Sequence, residues 1–188
     1  MFKEIDEKIS QNTRLSIREI NICFDKKQKT KTTNKDGEKL YLYRRSDFCH
    51  PRGPIGCYSN KAKYIIFNSK GEKLGSVKGE ICHYSFGREL ELNYENCKEE
   101  TQGRGNISLA LDEVLKQIFL KGDFDNKPCE DCFYSEIKKI KLLISEDNHA
   151  AIAVAKKNGF DRINKTEYVL SKEKFLEKLN KEKNEEER

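Results

Sequence analysis

The spacing of apolar residues changes abruptly near residue 106, and this change is the strongest constraint on how the chain can fold. Before it, "RELELNY" alternates, with Leu90, Leu92 and Tyr94 on one face of an expected strand. After it, apolar side chains recur every three or four residues as far as Gly122: Ile107, Ala110, Leu111, Val114, Leu115, Ile118 and Phe119. The pattern predicts a strand that turns directly into an amphipathic helix.

The connection between that strand and that helix is "TQGRGN", in which Gly103 and Gly105 flank Arg104. The first amides of a helix have no partner within it and lie at the positive end of its dipole, so this position can bind an anion. Glycine lets a phosphate approach the backbone without a Cβ in the way. The alternative is a turn that only connects the two elements.

Two common phosphate-binding patterns are absent. The chain has no G-x-x-x-x-G-K-[ST] sequence. A dinucleotide fingerprint needs a third glycine where Ser108 stands, and it needs a βαβ unit, whereas the preceding strands read as hairpins.

Composition favours one globular domain. The 188 residues are 36% hydrophobic and 37% charged, with 18 Phe and Tyr residues to build a core. The net charge of +5 fits an anionic ligand as well as a nucleic acid. Seven cysteines, with no apolar leader segment at the start and no stretch long enough to span a membrane, predict reduced thiols in a cytoplasmic protein.

We predict a single α+β domain over residues 1–188 whose sheet is mostly antiparallel and whose end frays over 180–188. Expected strands are "RLSIREINICF" in two phases with a break, "KLYLYRR", "AKYIIFN", "LGSVKGEICHY", "RELELNY", "IKKIKLLIS" and "FDRINKTEYVL". Further helices are expected at "EDNHAAIAVAKKNGF", with Gly159 as its stop, and at "SKEKFLEKLN".

Two motifs resemble those of the GNAT superfamily of N-acetyltransferases. The acyl-CoA loop of that family reads Q/R-x-x-G-x-G/A, and here "QGRGNI" has Gln102 and Gly105 in place, with Ile107 where Gly or Ala is usual. The second helix of the family has the form N-x-x-A…G-F, which Asn148, Ala151 and "GF" at 159–160 match. The resemblance covers about residues 60 to 170 and is greatest to the ribosomal-protein N-terminal acetyltransferases.

The resemblance implies a GNAT fold, in which a central, mainly antiparallel sheet is flanked by helices, and acetyl-CoA as co-substrate. Backbone amides of residues 103 to 107 would hold the pyrophosphate, helped by the charge of Arg104. The strand ending at Tyr94 would splay from "IKLLIS" around the pantetheine, and Asn148 would contact that arm or cap its helix. The implied cofactor-binding residues are Tyr94, Gln102, Gly103, Arg104, Gly105, Asn106, Ile107 and Asn148.

Acetyl transfer needs a neutral amine, an oxyanion donor and a proton for the departing thiolate. The resemblance implies that a backbone amide near Tyr94 or Glu95 is the oxyanion donor. Glu95 and His83 are the candidate bases, although each is also compatible with an ordinary strand position. Many GNAT enzymes have a Tyr where this chain has Ala155, so the thiolate leaves unassisted, through water, or with a residue such as Tyr168.

Other patterns receive a plainer interpretation. "CEDC" at 129–132 has the spacing of half a zinc site, with Cys49, His50 and Cys57 as possible partners, but we prefer free thiols to bound zinc. "KKQKTKTTNK" reads as a solvated hairpin tip without interleaved aromatics, so neither a nucleic acid nor a membrane is an expected partner.

The sequence thus predicts an enzyme that transfers acetyl from acetyl-CoA to an amine, either a protein N-terminus or a small molecule. One alternative is an acyl-CoA-binding sensor without turnover, which Ala155 and Ile107 favour. Another is an interaction protein stabilised by zinc. The sequence leaves the acceptor and the oligomeric state open.

Overall fold

The computed structural model describes residues 1–48, 60–84, 87–96, 99–124 and 136–186. The helices are α1 (Phe2–Asn12), α2 (Ile17–Cys23), α3 (Asn106–Lys121), α4 (His149–Lys157) and α5 (Lys172–Glu186). The strands are β1 (Lys26–Thr33), β2 (Lys39–Phe48), β3 (Asn60–Asn68), β4 (Lys73–Tyr84), β5 (Gly87–Asn96), β6 (Lys139–Leu143), β7 (Asp161–Arg162) and β8 (Glu167–Ser171). A 3₁₀ turn, Glu99–Thr101, precedes α3.

In the described part of the chain, eight strands pair in the order β1-β2-β3-β4-β5-β6-β8-β7. The pairs β1–β2, β2–β3, β6–β8 and β7–β8 are antiparallel, and β5 pairs with β6 in parallel from Glu89 and Lys139 to Leu92 and Leu142. A parallel pair requires a crossover, which contains α3. The expected α+β class, with a mainly antiparallel sheet and flanking helices, is confirmed.

Contacts divide the chain into two compact units. The first contains Met1–Gly79 and Asn93–Val114. Its core joins α1 and α2 to β2 and β3 through Ile5, Ile9, Ile20, Phe24, Tyr41, Tyr43 and Phe67, and the aromatic rings pack edge to face. Asp6 is buried in this unit because the Tyr43 hydroxyl and the Lys27 ammonium both donate to its carboxylate.

The second unit contains Glu80–Leu92 and Leu115–Arg188. Alternate residues of its strands are buried, so that one face carries Leu90, Leu92, Ile140, Leu142, Tyr168 and Leu170. Phe119 of α3 contacts Phe175 of α5, with the ring centroids 5.3 Å apart. No helix in the described residues is both long enough and apolar enough to cross a bilayer.

The strand prediction for "RLSIREINICF" is wrong, because these residues lie largely in α2. Ser16 accepts a hydrogen bond from the Glu19 amide, and the Glu19 carboxylate accepts one from the Ser16 amide. This capping box starts a helix whose Ile20 is buried while Ile22 is 72% exposed. Residues two apart lie on opposite faces of a helix, so Ile20 and Ile22 fit a helix with one buried and one exposed side chain as well as they fit a strand.

Smaller differences concern the ends of elements. The lysine-rich segment expected at a hairpin tip is strand β1, and only residues 34–38 form the turn. "FDRINKTEYVL" forms two short strands, β7 and β8, instead of one. The final helix α5 continues to Glu186, and the fraying expected over 180–188 stays a prediction.

Candidate functional site

The segment Gln102–Ile107, here called the glycine loop, follows β5 and the 3₁₀ turn and leads into α3 in the first unit. Gly103 has φ +73° and Gly105 has φ +84°, in the left-handed region that side chains rarely adopt. A Cβ placed on Gly103 would meet no atom within 4 Å. Glycine is therefore required by the backbone conformation and not by crowding.

Three amides of the glycine loop are available to a ligand, whereas the Gln102 amide already donates to the Glu99 carbonyl at 2.9 Å. Among the described residues, the backbone amides of Gly103, Arg104 and Gly105 donate to no acceptor, whereas the Leu109 amide donates within the helix to the Gly105 carbonyl at 3.0 Å. Gln102, Gly103 and Arg104 are exposed. Left-handed glycines that turn successive amides toward a helix N-terminus make a concave anion site.

The end of the glycine loop that forms the start of α3 is buried. Asn106 and Ile107 are 2% and 5% exposed. A Cβ on Gly75 of β4 would lie 2.7 Å from Ile107 Cδ1, so the Ile107 side chain packs inward against this glycine. Ile107 therefore departs from the usual small residue without placing its side chain over the exposed amides.

Arg104 brings a positive charge to the exposed end of the glycine loop. Its guanidinium is 3.1 Å from the Asp36 carboxylate, and the two side chains are 44% and 51% exposed. An ion pair that exposed contributes little stability and exchanges readily with other anions. Arg104 is thus in position to contact a phosphate bound at the loop amides.

Glu95 lies near the end of β5, before the glycine loop. The buried Ser76 hydroxyl donates to its carboxylate at 2.8 Å, and the Lys63 ammonium lies 3.3 Å from the same oxygen. The Ser76 hydrogen bond, followed by Lys63 and Lys78, holds the pKa of Glu95 below its ordinary value despite some desolvation. Glu95 is therefore ionised at neutral pH and is a weaker base than a free carboxylate.

The remaining predicted residues are more scattered. His83 lies in β4, and its side chain is outside the described residues. Tyr94 is half-buried in β5, one residue before Glu95. Asn148 caps α4 in the second unit, where its Oδ1 accepts a hydrogen bond from the Ala151 amide at 3.0 Å. Of the two roles implied for Asn148, the structure has the cap.

The position where many GNAT enzymes have a Tyr and the tyrosine considered as a substitute general acid are both buried. Ala155 is fully buried in α4, and Tyr168 is fully buried in β8. The Tyr168 hydroxyl has no hydrogen-bond partner among the described residues.

The cysteine and histidine positions considered for zinc, Cys49, His50, Cys57, Cys129 and Cys132, all lie outside the described residues. Within the described residues, no group of three or more His, Cys, Asp or Glu side chains is arranged to hold a metal ion. Cys23 is a free thiol.

Sequence reasoning missed the residues that support the site. Ser76 and Lys63 meet Glu95 only because their strands lie close in the sheet, and no local pattern indicates that. Asn34 donates to Asn106 at 3.0 Å across 72 residues of sequence. A signal for Asn34 existed, because "NKDGEK" at 34–39 recurs as "NSKGEK" at 68–73.

Comparison with known proteins gives matches in structure alone. No protein-family description and no curated sequence matches the chain. An aminoglycoside acetyltransferase, AAC(6')-Ib, in complex with coenzyme A aligns with 62% of this chain and 69% of its own, at 16% identity and a TM-score of 0.49.

Two further matches come from named organisms. A GNAT-family acetyltransferase from Bacillus anthracis aligns with 59% of this chain and 66% of its own, at 13% identity and a TM-score of 0.46. A ribosomal-protein-S5-alanine acetyltransferase from Vibrio fischeri aligns over 60% of each chain, at 13% identity and a TM-score of 0.44. These structural neighbours are all acetyltransferases.

Proposed function

We propose that the protein is an acetyl-CoA-dependent N-acetyltransferase whose glycine loop binds the pyrophosphate of the cofactor. The observation that carries the proposal is the loop itself, with two left-handed glycines, exposed amides without acceptors and Arg104 between them, at the start of a 16-residue helix. The loop amides and the Arg104 guanidinium together complement a diphosphate.

The sequence around the glycine loop supports acetyl-CoA over other phosphate ligands. Gln102 and Gly105 stand where GNAT proteins have their acyl-CoA loop residues, and Asn148 begins a helix of the matching form. The amides of residues 103 to 107 are the proposed pyrophosphate donors. Tyr94 and Asn148 belong to the proposed pantetheine contacts only by this resemblance.

The chemistry proposed is attack of a neutral amine on the thioester carbonyl. A C–N bond forms, the C–S bond breaks, the nitrogen loses a proton and the CoA thiolate gains one. An oxyanion donor near Tyr94 would stabilise the tetrahedral intermediate. CoA supplies the activated acetyl group when it is bound.

The ionisation of Glu95 favours an acceptor amine that is already weakly basic. At pH 7 a lysine amine is neutral about once in 2,500, which costs about 4.6 kcal/mol, whereas an α-amine near pKa 8 costs about 1.4 kcal/mol. Because the pKa of Glu95 is lowered, this carboxylate suits holding an ammonium, or receiving its proton through water, better than deprotonating a lysine. A protein or peptide N-terminus is therefore the proposed acceptor class, ahead of a small-molecule amine.

The proposed setting is the cytoplasm. The free thiol of Cys23 fits a reducing compartment, and acetyl-CoA is available there.

A non-catalytic acyl-CoA sensor is the second candidate. Ala155 stands where many GNAT enzymes have a Tyr that could serve as the general acid. Tyr168, considered for that role here, is fully buried. Such a protein would bind acetyl-CoA with the same loop but release no thiol.

The first test is the thermal unfolding midpoint with and without acetyl-CoA, with ATP and NAD as controls. A ligand at 100 times its Kd adds about 2.7 kcal/mol, which corresponds to a shift of about 5 to 10 °C for a chain of this length. Acetyl-CoA alone should produce the shift. No shift at saturating acetyl-CoA would contradict the proposal.

A matched pair of variants locates that shift. Gly103→Ala forces alanine to φ +73° in open space, and Gly159→Ala does the same at φ +90° with only ordinary contacts nearby. Both should lose about 1 to 2 kcal/mol of stability through the left-handed backbone. Only Gly103→Ala should lose the acetyl-CoA shift, and equal loss in both would show that the loop is not the binding site.

Turnover is tested by release of the CoA thiol with two peptides. One has a free α-amine and acetylated lysines, and the other has a blocked N-terminus and free lysines. The first should react faster, since its amine is more often neutral. Faster reaction of the second would overturn the acceptor class, and thiol release from neither peptide nor a polyamine would favour the sensor.

A further inference from the structure

Two hairpin turns of the first unit share one sequence and one geometry. The β1–β2 turn has the sequence "NKDGEK" and the β3–β4 turn "NSKGEK". In each, the Asn side-chain oxygen accepts from the amides two and four residues later, at 2.9 to 3.0 Å. In each, the fourth residue is a left-handed glycine, Gly37 at φ +72° and Gly71 at φ +78°. The turns are folded in the same way by local forces.

The β3–β4 turn is anchored on helix α1. The Ser69 carbonyl accepts from the Lys8 ammonium at 3.1 Å, and the Lys70 carbonyl accepts from the Asn12 side chain at 3.0 Å. A Cβ on Gly71 would lie 2.5 Å from the Lys8 backbone, which shows how closely turn and helix approach. This turn therefore packs against helix α1.

The β1–β2 turn is instead anchored on the glycine loop. The Lys35 amide donates to the Arg104 carbonyl at 3.1 Å. The Asn34 side chain donates to Asn106 Oδ1 at 3.0 Å, and these two residues are 5% and 2% exposed. The Asp36 carboxylate pairs with the Arg104 guanidinium. Three contacts therefore hold the residues on both sides of Gly105.

A loop with two glycines at positive φ has many alternative conformations, and fixing each residue is opposed by conformational entropy. Contacts that hold the Arg104 carbonyl and the Asn106 side chain keep the intervening amides in one orientation before a ligand arrives. Pre-organisation of that kind strengthens binding without touching the ligand. It also accounts for a buried asparagine pair beside the exposed residues 102–104.

We propose that the β1–β2 turn is a positioning element for the anion site, in which Asn34 fixes the glycine loop and Asp36 occupies Arg104 until a phosphate replaces it. The inference rests on the proposed binding of CoA at the loop. Asn34 is a positioning residue and contacts no ligand. Asp36 is a competing anion, so the two side chains should affect binding in opposite directions.

The test compares CoA affinity, measured by calorimetry at low salt, in Asn34→Ala and Asn68→Ala. Both variants remove the matching turn hydrogen bonds, and Asn34→Ala also removes the buried bond to Asn106, so its stability loss should be the larger. Asn34→Ala should raise the Kd for CoA about tenfold, whereas Asn68→Ala should leave it within about twofold. Asp36→Asn should lower the Kd, because Arg104 loses its internal partner. Equal effects of the two Asn variants, or weaker binding in Asp36→Asn, would overturn the inference.

Hydrogen exchange of the ligand-free protein tests the positioning role separately from CoA binding. The Lys35 amide, which donates to the Arg104 carbonyl, and the Leu109 amide, which donates to the Gly105 carbonyl, should exchange about tenfold faster in Asn34→Ala than in wild type. Both should exchange at the wild-type rate in Asn68→Ala. If the wild-type protein fails to bind CoA, the proposed function fails while this measurement still decides the positioning role. Unchanged exchange in Asn34→Ala would overturn it.

Discussion

At the scale of single residues, the site depends on one residue type used in two ways. Gly103 and Gly105 provide left-handed backbone in open space, while Gly75 lets β5 and α3 approach β4. The turn made by Gly103 and Gly105 could be predicted from the sequence, because two glycines on either side of Arg104, directly before an amphipathic helix, form a local pattern. Gly75 could not, because the atoms it accommodates lie about 20 and 32 residues away in the sequence.

Glu95 is the residue whose chemistry the fold determines most directly. In the folded protein the Ser76 hydrogen bond, with Lys63 and Lys78, lowers its pKa. A lowered pKa adds stability above the unfolded-state pKa of about 4.3, and this stability is lost as pH falls through the folded-state pKa. The native state is therefore stabilised when the Glu95 carboxyl is ionised.

The stability difference between wild type and Glu95→Gln should be constant above about pH 5 and should shrink as the pH falls toward 3. Urea unfolding of both proteins at several pH values measures it. In a Ser76→Ala background, which lacks the largest cause of the shift, the difference should depend less on pH. A wild-type minus variant difference that grows at low pH would contradict the assigned pKa direction.

At the scale of elements, helix α2 shows how a cap can override an apparent strand pattern. Its segment contains two short alternating runs, Leu15/Ile17 and Ile20/Ile22/Phe24, yet a reciprocal cap of Ser16 and Glu19 starts a helix there. The S-x-x-E spacing was present in the sequence and is a recognised helix signal. The error came from weighing periodicity alone in a segment too short to separate the two periods.

Ser16→Ala should destabilise the protein by about 1 kcal/mol, since the Glu19 amide at the start of α2 then lacks its acceptor. Urea unfolding of Ser16→Ala, Glu19→Ala and the double variant measures the coupling between the two side chains. The double variant should lose less than the sum of the single losses. Simple additivity would show that the cap does not act as a unit.

Gly75→Ala tests the meeting of β4, β5 and α3. Its new Cβ would lie 2.5 Å from the Glu95 carbonyl oxygen and 2.7 Å from Ile107 Cδ1, so we expect a loss of about 1 to 3 kcal/mol. Ile107→Val deletes that Cδ1 atom. Gly75→Ala combined with Ile107→Val should therefore be more stable than the sum of the single effects predicts, as measured by urea unfolding, and additive effects would contradict the packing described.

At the scale of the whole molecule, the elements from residue 60 onward follow the predicted order, except that one expected strand is the pair β7 and β8. The N-terminal part differs where α1 and α2 lie. Strong local signals mark three parts of this region: the hairpin of β3 and β4, the strand–loop–helix at α3, and helix α4, which Gly159 follows. The structure divides into two compact units, and a single domain over residues 1–188 stays a prediction. The N-terminal helices lacked such a prediction, because α1 has few apolar residues and α2 is short.

The sequence by itself determined the features that depend on neighbours along the chain. These are the change of hydrophobic period at residue 106, the left-handed glycines of the loop, and the Asn turns, whose hydrogen bonds span at most four residues. Only the tertiary structure decided which of two nearly identical turns would meet the glycine loop, and which hydroxyl and ammonium groups would lower the pKa of Glu95. The physical reason is that such contacts join residues 17 to 72 positions apart, where strand pairing and packing, and not local propensity, set the distance.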